Sequence, residues 1–198
     1  MEEPLRSDEE LAAVRIGPPE LLNGQIYLAE YDPAWPALFE RERVRISSAL
    51  GDRALLIEHV GSTSVPGLAA KPRIDIVLGV ADVTDEPSFV PSLEATGYVL
   101  RIRDTDPDHR VLKGPDTDVN LHVYSSDCPE IGRMVLFRDH LRANEADRLL
   151  YQRTKRDLAQ RTWKYTQHYA DAKTSVVKEI MARADAEAGV GDTGEAAP

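Results

Sequence analysis

The spacing of hydrophobic positions differs between the middle of the chain and its C-terminal part. Between residues 54 and 124 apolar and polar residues alternate in short runs, the two-residue period of strands. Beyond 129 they recur at the three- and four-residue spacing of helices. Ala54–His59, Arg73–Val80, Tyr98–Arg103, His109–Lys113 and Asp118–Tyr124 therefore read as strands. Gly61–Pro72 is a loop, and Pro87–Thr96 is a helix closed by Gly97. Ile131–Ala143, Glu145–Arg161 and Tyr165–Arg183 read as helices with short polar breaks.

Ahead of the first strand run, Ser7 and Glu10 stand at capping-box spacing in a short helix over 7–16, which Gly17-Pro18-Pro19 ends. Gln25–Tyr31 alternates around Ile26 and Leu28 and reads as a strand. Asp32-Pro33 then opens a helix running to Leu50 with Gly51 as its cap. Its stripe of Trp35, Leu38, Phe39, Ile46 and Leu50 is core, and Glu40-Arg41-Glu42-Arg43 is expected to face outward. The expected organisation is an acidic arm over 1–24, partly helical or flexible, and one domain over 25–183. That domain has a sheet part over about 25–127 and a helical part over about 128–183, and a disordered acidic tail follows over 184–198. Strands followed by a run of helices make the class α+β.

Length and composition fit one soluble domain: 198 residues, 42% hydrophobic and 29% charged. No apolar run approaches a membrane span, and the acidic start lacks the order of a signal peptide. The single cysteine, Cys128, leaves no intramolecular disulfide and no cysteine zinc knuckle, so the expected compartment is the cytoplasm.

The formal net charge of -10 is unevenly placed. Residues 1–10 and 184–198 hold nine acids and one base. Residues 51–132 carry fourteen acids against seven bases, and 133–183 carry twelve bases against six acids. A cleft between an acidic and a basic lobe would focus its field on an anion and its counter-cation. The bland alternative is a solvated helix face with ordinary salt pairs. A basic stripe interleaved with aromatics is missing, so nucleic acid is not an expected partner.

The densest chemical signal is His59-Val-Gly-Ser-Thr-Ser-Val-Pro-Gly67, leading to Arg73-Ile-Asp75-Ile-Val77. A Gly-Ser pair after a strand, here Gly61 and Ser62 with Thr63 and Ser64 behind them, frees backbone N–H groups and hydroxyls for phosphate oxygens. A plain turn is the equal alternative. The spacing is neither that of a Walker loop nor that of a nucleophile elbow. Asp75 lies on the strand face opposite Ile74, Ile76 and Leu78, and by the same parity Asn120, His122 and Tyr124 lie opposite Val119, Leu121 and Val123. If the two strands adjoin, Asp75 can meet His122, either as a hydrogen-bonded pair or around a divalent cation. Asp104, Asp106 and Asp108 do not fit a calcium loop, and His109, His140 and His168 show no metal spacing. Arg138 and Arg142 share a helix face, while Lys155, Lys164 and Lys173 recur at wider intervals. Turned inward they suit a polyphosphate, and turned outward they snorkel from a bundle.

The chain resembles the GrpB-like family, whose fold is that of the nucleotidyltransferase superfamily, over about 25–180. The carrying stretches are Tyr31-Asp-Pro-Ala-Trp-Pro-Ala-Leu-Phe39, His59 through Pro72 with Ile74-Asp75-Ile76, Phe137-Arg-Asp-His-Leu-Arg142, and Tyr151 to Lys155. The resemblance implies a small mixed sheet flanked by helices, with the Gly-Ser turn at one end and a helical C-terminal part closing over a cleft. In active nucleotidyltransferases of this fold, Gly-Ser binds the triphosphate, and an Asp-x-Asp pair with a third acid holds two magnesium ions. Gly61, Ser62 and Asp75 match. Val77 replaces the second acid, and the third strand reads Asn120-Leu-His122, where the family usually shows His-x-His. One cation or none is therefore expected, magnesium or manganese, with Asp75, His122 and Asn120 as its candidate ligands.

The function so implied is binding of a nucleoside triphosphate and transfer of its nucleotidyl group to a small-molecule acceptor. Asp75, His122 and Ser62 are the candidate catalytic groups. Gly61, Ser62, Thr63, Ser64, Lys71, Arg73, Arg138, Arg142, Lys155 and Lys173 are the candidate phosphate ligands. The alternatives are a nucleotide- or phosphate-binding module without chemistry, and a biosynthetic enzyme acting on another anionic small molecule in the same cleft.

Overall fold

The computed structural model describes residues 5–17, 21–116 and 118–191. Its strands are β1 (Leu21–Gly24), β2 (Leu56–Val60), β3 (Ile74–Val80), β4 (Val99–Thr105), β5 (Asp108–Lys113), β6 (Val119–Ser125) and β7 (Trp163–Tyr165). Its helices are α1 (Asp8–Val14), α2 (Trp35–Leu50), α3 (Val90–Glu94), α4 (Pro129–Ala143), α5 (Glu145–Ala159), α6 (Thr166–Asp171) and α7 (Thr174–Gly191). The class is α+β.

Five strands form one mixed sheet in the order β2-β3-β6-β5-β4, parallel only between β3 and β6. In that pair Asp75 stands opposite Asn120 and Val77 opposite His122. Alternation sends Ile74, Ile76, Leu78, Val119, Leu121 and Val123 to one face, where they form the main core with Trp35, Ile46 and Leu50 of α2 and Leu93 of α3. The opposite face is divided. Val60, Val77 and Tyr124 are buried there with Ile131 of α4, whereas Asp75, Asn120 and His122 line cavities. Val77 is therefore a core residue on the same face as the candidate site.

A second core joins the loop after the Gly-Ser turn to the helices, through Val65 and Leu68 packed on Leu141, Tyr151, Val176 and Ile180. A third gathers Ile26, Leu158, Trp163 and Tyr169. These two clusters hold the helical part against the turn end of the sheet.

Several boundaries differ from the sequence reading. The first ladder forms at Leu21–Gly24, paired with β7, and not over Gln25–Tyr31. In that stretch only Ala29 makes a bridge, exchanging both backbone bonds with Ala70 at 2.8 and 2.9 Å. Ile26 still turns inward, so the alternation reported burial rather than pairing. The α2 helix starts at Trp35 with Pro36 in its first turn, because Asp32 accepts from the Ala34 N–H and holds 32–34 as a separate turn. Glu42 is fully buried, not outward, and accepts the Tyr98 hydroxyl at 2.7 Å. The last expected helix is broken, with β7 and α6 preceding α7. Residues 184–191, expected as disordered tail, continue α7, and Ala184 is buried. Residues 192–198 lie outside the described residues. The capping box of Ser7 and Glu10 forms as expected, and α1 is docked, with Leu11 buried and the Ile16 N–H donating to the Arg101 carbonyl.

Candidate functional site

The Gly-Ser turn is set by two contacts, one with β3 and one with Arg73 just ahead of it. Gly61 has φ +71°, a region that favours glycine, and a Cβ there would stand 2.6 Å from Oδ2 of Asp75. Ser62–Ser64 then forms one 3-10 turn. Thr63 donates its hydroxyl to the Arg73 carbonyl at 3.0 Å and lies 3.1 Å from Nε2 of His59. With its one proton so used, Thr63 accepts from His59, which fixes the Nε2–H tautomer. Burial pushes His59 down to about 4, so the ring is neutral, and it stacks on Phe39.

Behind the turn lies a cavity of about 50 Å³ whose walls are cationic. Ser62 and Thr63 form one side, Lys71, Arg73 and Asp75 the next, and Lys155 of α5, Tyr169 of α6 and Lys173 the last. Lys155 is buried and donates to Oγ of Ser62 at 3.0 Å and to the Ala69 carbonyl. Lys71 and Lys173 approach the Tyr169 ring at 5.7 and 5.0 Å. Burial pushes Lys71 down to about 7, and Arg73 and Lys173 add to that while Asp75 opposes it. Burial, with Lys173 and Arg156, holds Lys155 well below the usual lysine range. The Tyr169 hydroxyl is buried without a hydrogen-bond partner. Like charges are brought together here, an arrangement that an anion would relieve.

One carboxylate faces this cavity. Asn120 donates its amide to Oδ1 of Asp75 at 2.7 Å, and Nε2 of His122 lies 3.8 Å from the same oxygen. Burial works against the charge of Asp75, but His122, Asn120 and Arg73 outweigh it and hold the group at about 2. Asn120 accepts from Lys113 at 2.7 Å through its own oxygen, which sets its amide toward Asp75. As placed, Asn120 orients the carboxylate, with its own oxygen taken up by Lys113. The far nitrogen of His122 meets Nε2 of His109 at 3.1 Å, with the rings near parallel and His109 stacked in turn on Tyr124. Burial pushes His109 down to about 3, so it is neutral.

No group of three or more His, Cys, Asp and Glu suited to a metal occurs among the described residues. The donor set fits a single cation on Asp75 whose other ligands are phosphate oxygens and water, the usual habit of magnesium. The His122 nitrogen adds a ligand that suits manganese. It does not fit two cations.

The fold thus brings Ser62, Thr63, Lys71, Arg73, Asp75, Lys155 and Lys173 to one cavity, with Gly61 and Ser64 shaping the turn and Asn120 and His122 beside the carboxylate. Arg138 and Arg142 lie outside it. Arg138 binds Glu58 at 2.6 Å and the His59 carbonyl at 3.0 Å, and Arg142 donates twice to the Ser64 carbonyl. They fasten α4 to the turn from behind. His109 and Tyr169 were missed. His109 sits two residues from Val111, the register partner of His122, so strand parity could have found it. Tyr169 carried no signal beyond its helical position.

A family model described as GrpB protein matches residues 25–183. A UPF0157 protein of Halalkalibacterium halodurans is 60% identical over 91% of this chain and 93% of its own length. Another, of Streptomyces coelicolor, is 47% identical over 86% of this chain and 89% of its own. The crystal structure of conserved protein GrpB from Enterococcus faecalis superposes with a TM-score of 0.72 at 32% identity, covering 81% of this chain and 98% of that one. A dephospho-CoA kinase of Mycolicibacterium paratuberculosis is 31% identical over 72% of this chain but 42% of its own length.

Proposed function

The chain belongs to the GrpB family, and from that premise and the cationic cavity behind Gly61–Ser64 we propose that it binds a nucleoside triphosphate through its phosphates. The carrying observation is the convergence of Lys71, Arg73, Lys155 and Lys173 on one small cavity beside Ser62. The cavity is too narrow for a nucleoside, so only phosphate groups enter it. The depressed lysines support this reading, because an arriving anion restores their charge.

Asp75 supports a metal in the same reading. An ionised carboxylate on the wall of a phosphate pocket repels the ligand unless a cation stands between them. Held by Asp75, a magnesium or manganese ion would offset phosphate charge as the reaction proceeds. This chain's own part is positioning: Ser62 and the turn orient the phosphates, and the cations neutralise them.

Nucleotidyl transfer is the second reading, favoured by the His109–His122 pair. In the neutral tautomer that donates Nδ1–H to His109, Nε2 of His122 no longer donates toward Asp75 and carries a lone pair that can take a proton. An acceptor hydroxyl oxygen attacks the α-phosphorus, and the bond to the bridging oxygen breaks. Pyrophosphate leaves with that electron pair, and the hydroxyl proton passes to Nε2 of His122.

The test is the thermal midpoint of the full chain with each of the four nucleoside triphosphates, with and without magnesium or manganese. Ligand at about 100 times Kd stabilises by about 2.7 kcal/mol, a rise of roughly 5–10 °C for a chain of this size. A rise with at least one triphosphate, lost in Lys155→Met, is expected. No rise with any of them overturns the reading in favour of another anionic small molecule.

A further inference from the structure

Arg73 lines more than one cavity. One is the phosphate pocket. Another, on the face of the sheet that carries Asn120 and His122, is a second cavity of about 310 Å³. Its floor is β4 to β6, with Val111, Lys113 and Asn120 among the residues that form it. Its roof is Arg15 and Ile16, which follow α1, together with Thr166 and Gln167 at the start of α6. The roof is held from both sides, by the Arg15–Ile102 bridge on the sheet and the Arg6–Asp171 ion pair at 2.9 Å on α6.

Four cations line this cavity, Arg15, Arg73, Arg101 and Lys113, and no carboxylate does. Arg73 is paired with Asp118 at 2.8 Å, and Lys113 donates to Asn120 at 2.7 Å. Neither Arg15 nor Arg101 has a carboxylate partner among the described residues. Elsewhere in the molecule Arg45, Arg103, Arg110, Arg138 and Arg183 each hold one. Arg15 is half-buried and Arg101 exposed, and both line this cavity; an anion that reached the two would be held by planar forks that match carboxylate and phosphate oxygens.

We propose that this cavity is a second anion site, built for a small molecule carrying a carboxylate or phosphate group gripped by Arg15 and Arg101. Its size suits a metabolite rather than a lone ion. Its floor shares Asn120 and His122 with the surroundings of Asp75, and Arg73 lines both it and the phosphate pocket. Naming that occupant the acceptor rests on the nucleotide reading above, whereas its being an anion does not.

The experiment is titration calorimetry of the full chain in metal-free buffer, with inorganic pyrophosphate and citrate as probes. Citrate is too bulky for the 50 Å³ pocket, so it reports the second cavity, and pyrophosphate reports both. The expected result is one citrate site, weakened at least tenfold in Arg15→Gln/Arg101→Gln, or, for a phosphate-specific occupant, two pyrophosphate sites of which that variant loses one. Lys155→Met, or Lys173→Met should the former not fold, removes only the other pyrophosphate site. Loss in the double arginine variant with unchanged binding in the lysine variants upholds this inference and overturns the phosphate pocket. Equal binding of both probes by wild type and Arg15→Gln/Arg101→Gln, or no binding of either by wild type, overturns the inference.

Discussion

Oδ2 of Asp75 occupies the space where a side chain on residue 61 would begin: a Cβ on Gly61 would lie 2.6 Å from it. The Gly-Ser turn and the strand that carries Asp75 are thus fitted closely to each other. Gly61→Ala should cost about 1–3 kcal/mol through backbone strain at φ +71° and the displacement of Asp75. Its thermal midpoint should fall and triphosphate binding should be lost with it. Gly67→Ala is the control, since it has a comparable φ of +76° with nothing within 4 Å of its Cβ. Equal stability loss in the two variants with binding kept in both would contradict the fit between turn and strand.

Anion binding should take up protons. Lys71 sits at about 7 and Lys155 well below the usual lysine range, and a bound anion raises both. Affinity should therefore fall as pH rises above about 7. Sulfate titrated at pH 8 in buffers of different ionisation enthalpy should show net proton uptake, smaller in Lys71→Met. An identical heat in every buffer would contradict it.

The ligand-free protein should gain stability where it loses function. Lys71 titrates lower in the folded chain than in the unfolded one, so its charge opposes folding below the unfolded value, and the penalty fades as pH rises from about 7 toward that value. Lys71→Met should raise the midpoint at pH 7 by about 2–4 °C, equivalent to about 1 kcal/mol, and the gain should shrink by pH 10. A lower midpoint in the variant would contradict the account.

Much of this site was legible in the sequence because strand parity is a strong constraint. Asp75, Asn120 and His122 were assigned to one face from alternation alone, and the parallel pairing of β3 with β6 makes them neighbours. The lysines could not be assigned that way. Lys155 sits on α5, whose rotation depends on tertiary packing, and Lys173 lies in the turn between α6 and α7 where an unbroken helix was expected, so only the clusters around Tyr151 and Tyr169 place them at the cavity. Arg138 and Arg142 carried the same pattern and were drawn to Glu58, Asp139 and backbone carbonyls instead. The strand at Leu21–Gly24 was hidden because its partner is the three-residue β7, too short to show a period.

His109 should be a positioning residue for His122. His109→Phe keeps a ring against Tyr124 but removes the 3.1 Å bond to Nδ1 of His122. Nitrogen-15 spectra of the imidazoles should then show His122 changing its tautomer populations while the fold is retained. Unchanged His122 resonances would show that the contact does not set its tautomer.

A separate polar cluster secures the helical part. Buried Asp147 accepts from Arg183 at 2.6 Å and lies 2.7 Å from Nε2 of His140, and its N–H caps on Asn144. Arg183 leads the groups that lower its carboxyl below the usual range, so its contribution is present above the unfolded value and is lost as pH falls through the folded one. Asp147→Asn should destabilise by about 1–3 kcal/mol near neutrality and approach wild type in acid below the ordinary carboxylate range. A difference independent of pH would contradict the ionic origin.

The most direct measurement is calorimetric titration of the four nucleoside triphosphates into wild type, Lys155→Met and Asp75→Ala, each with and without magnesium. Wild type should bind at least one triphosphate at a single site. Lys155→Met should lose that binding in both conditions, while Asp75→Ala should lose only the gain that magnesium brings. Binding by Lys155→Met as tight as by wild type would contradict the claim that this cavity holds the phosphates.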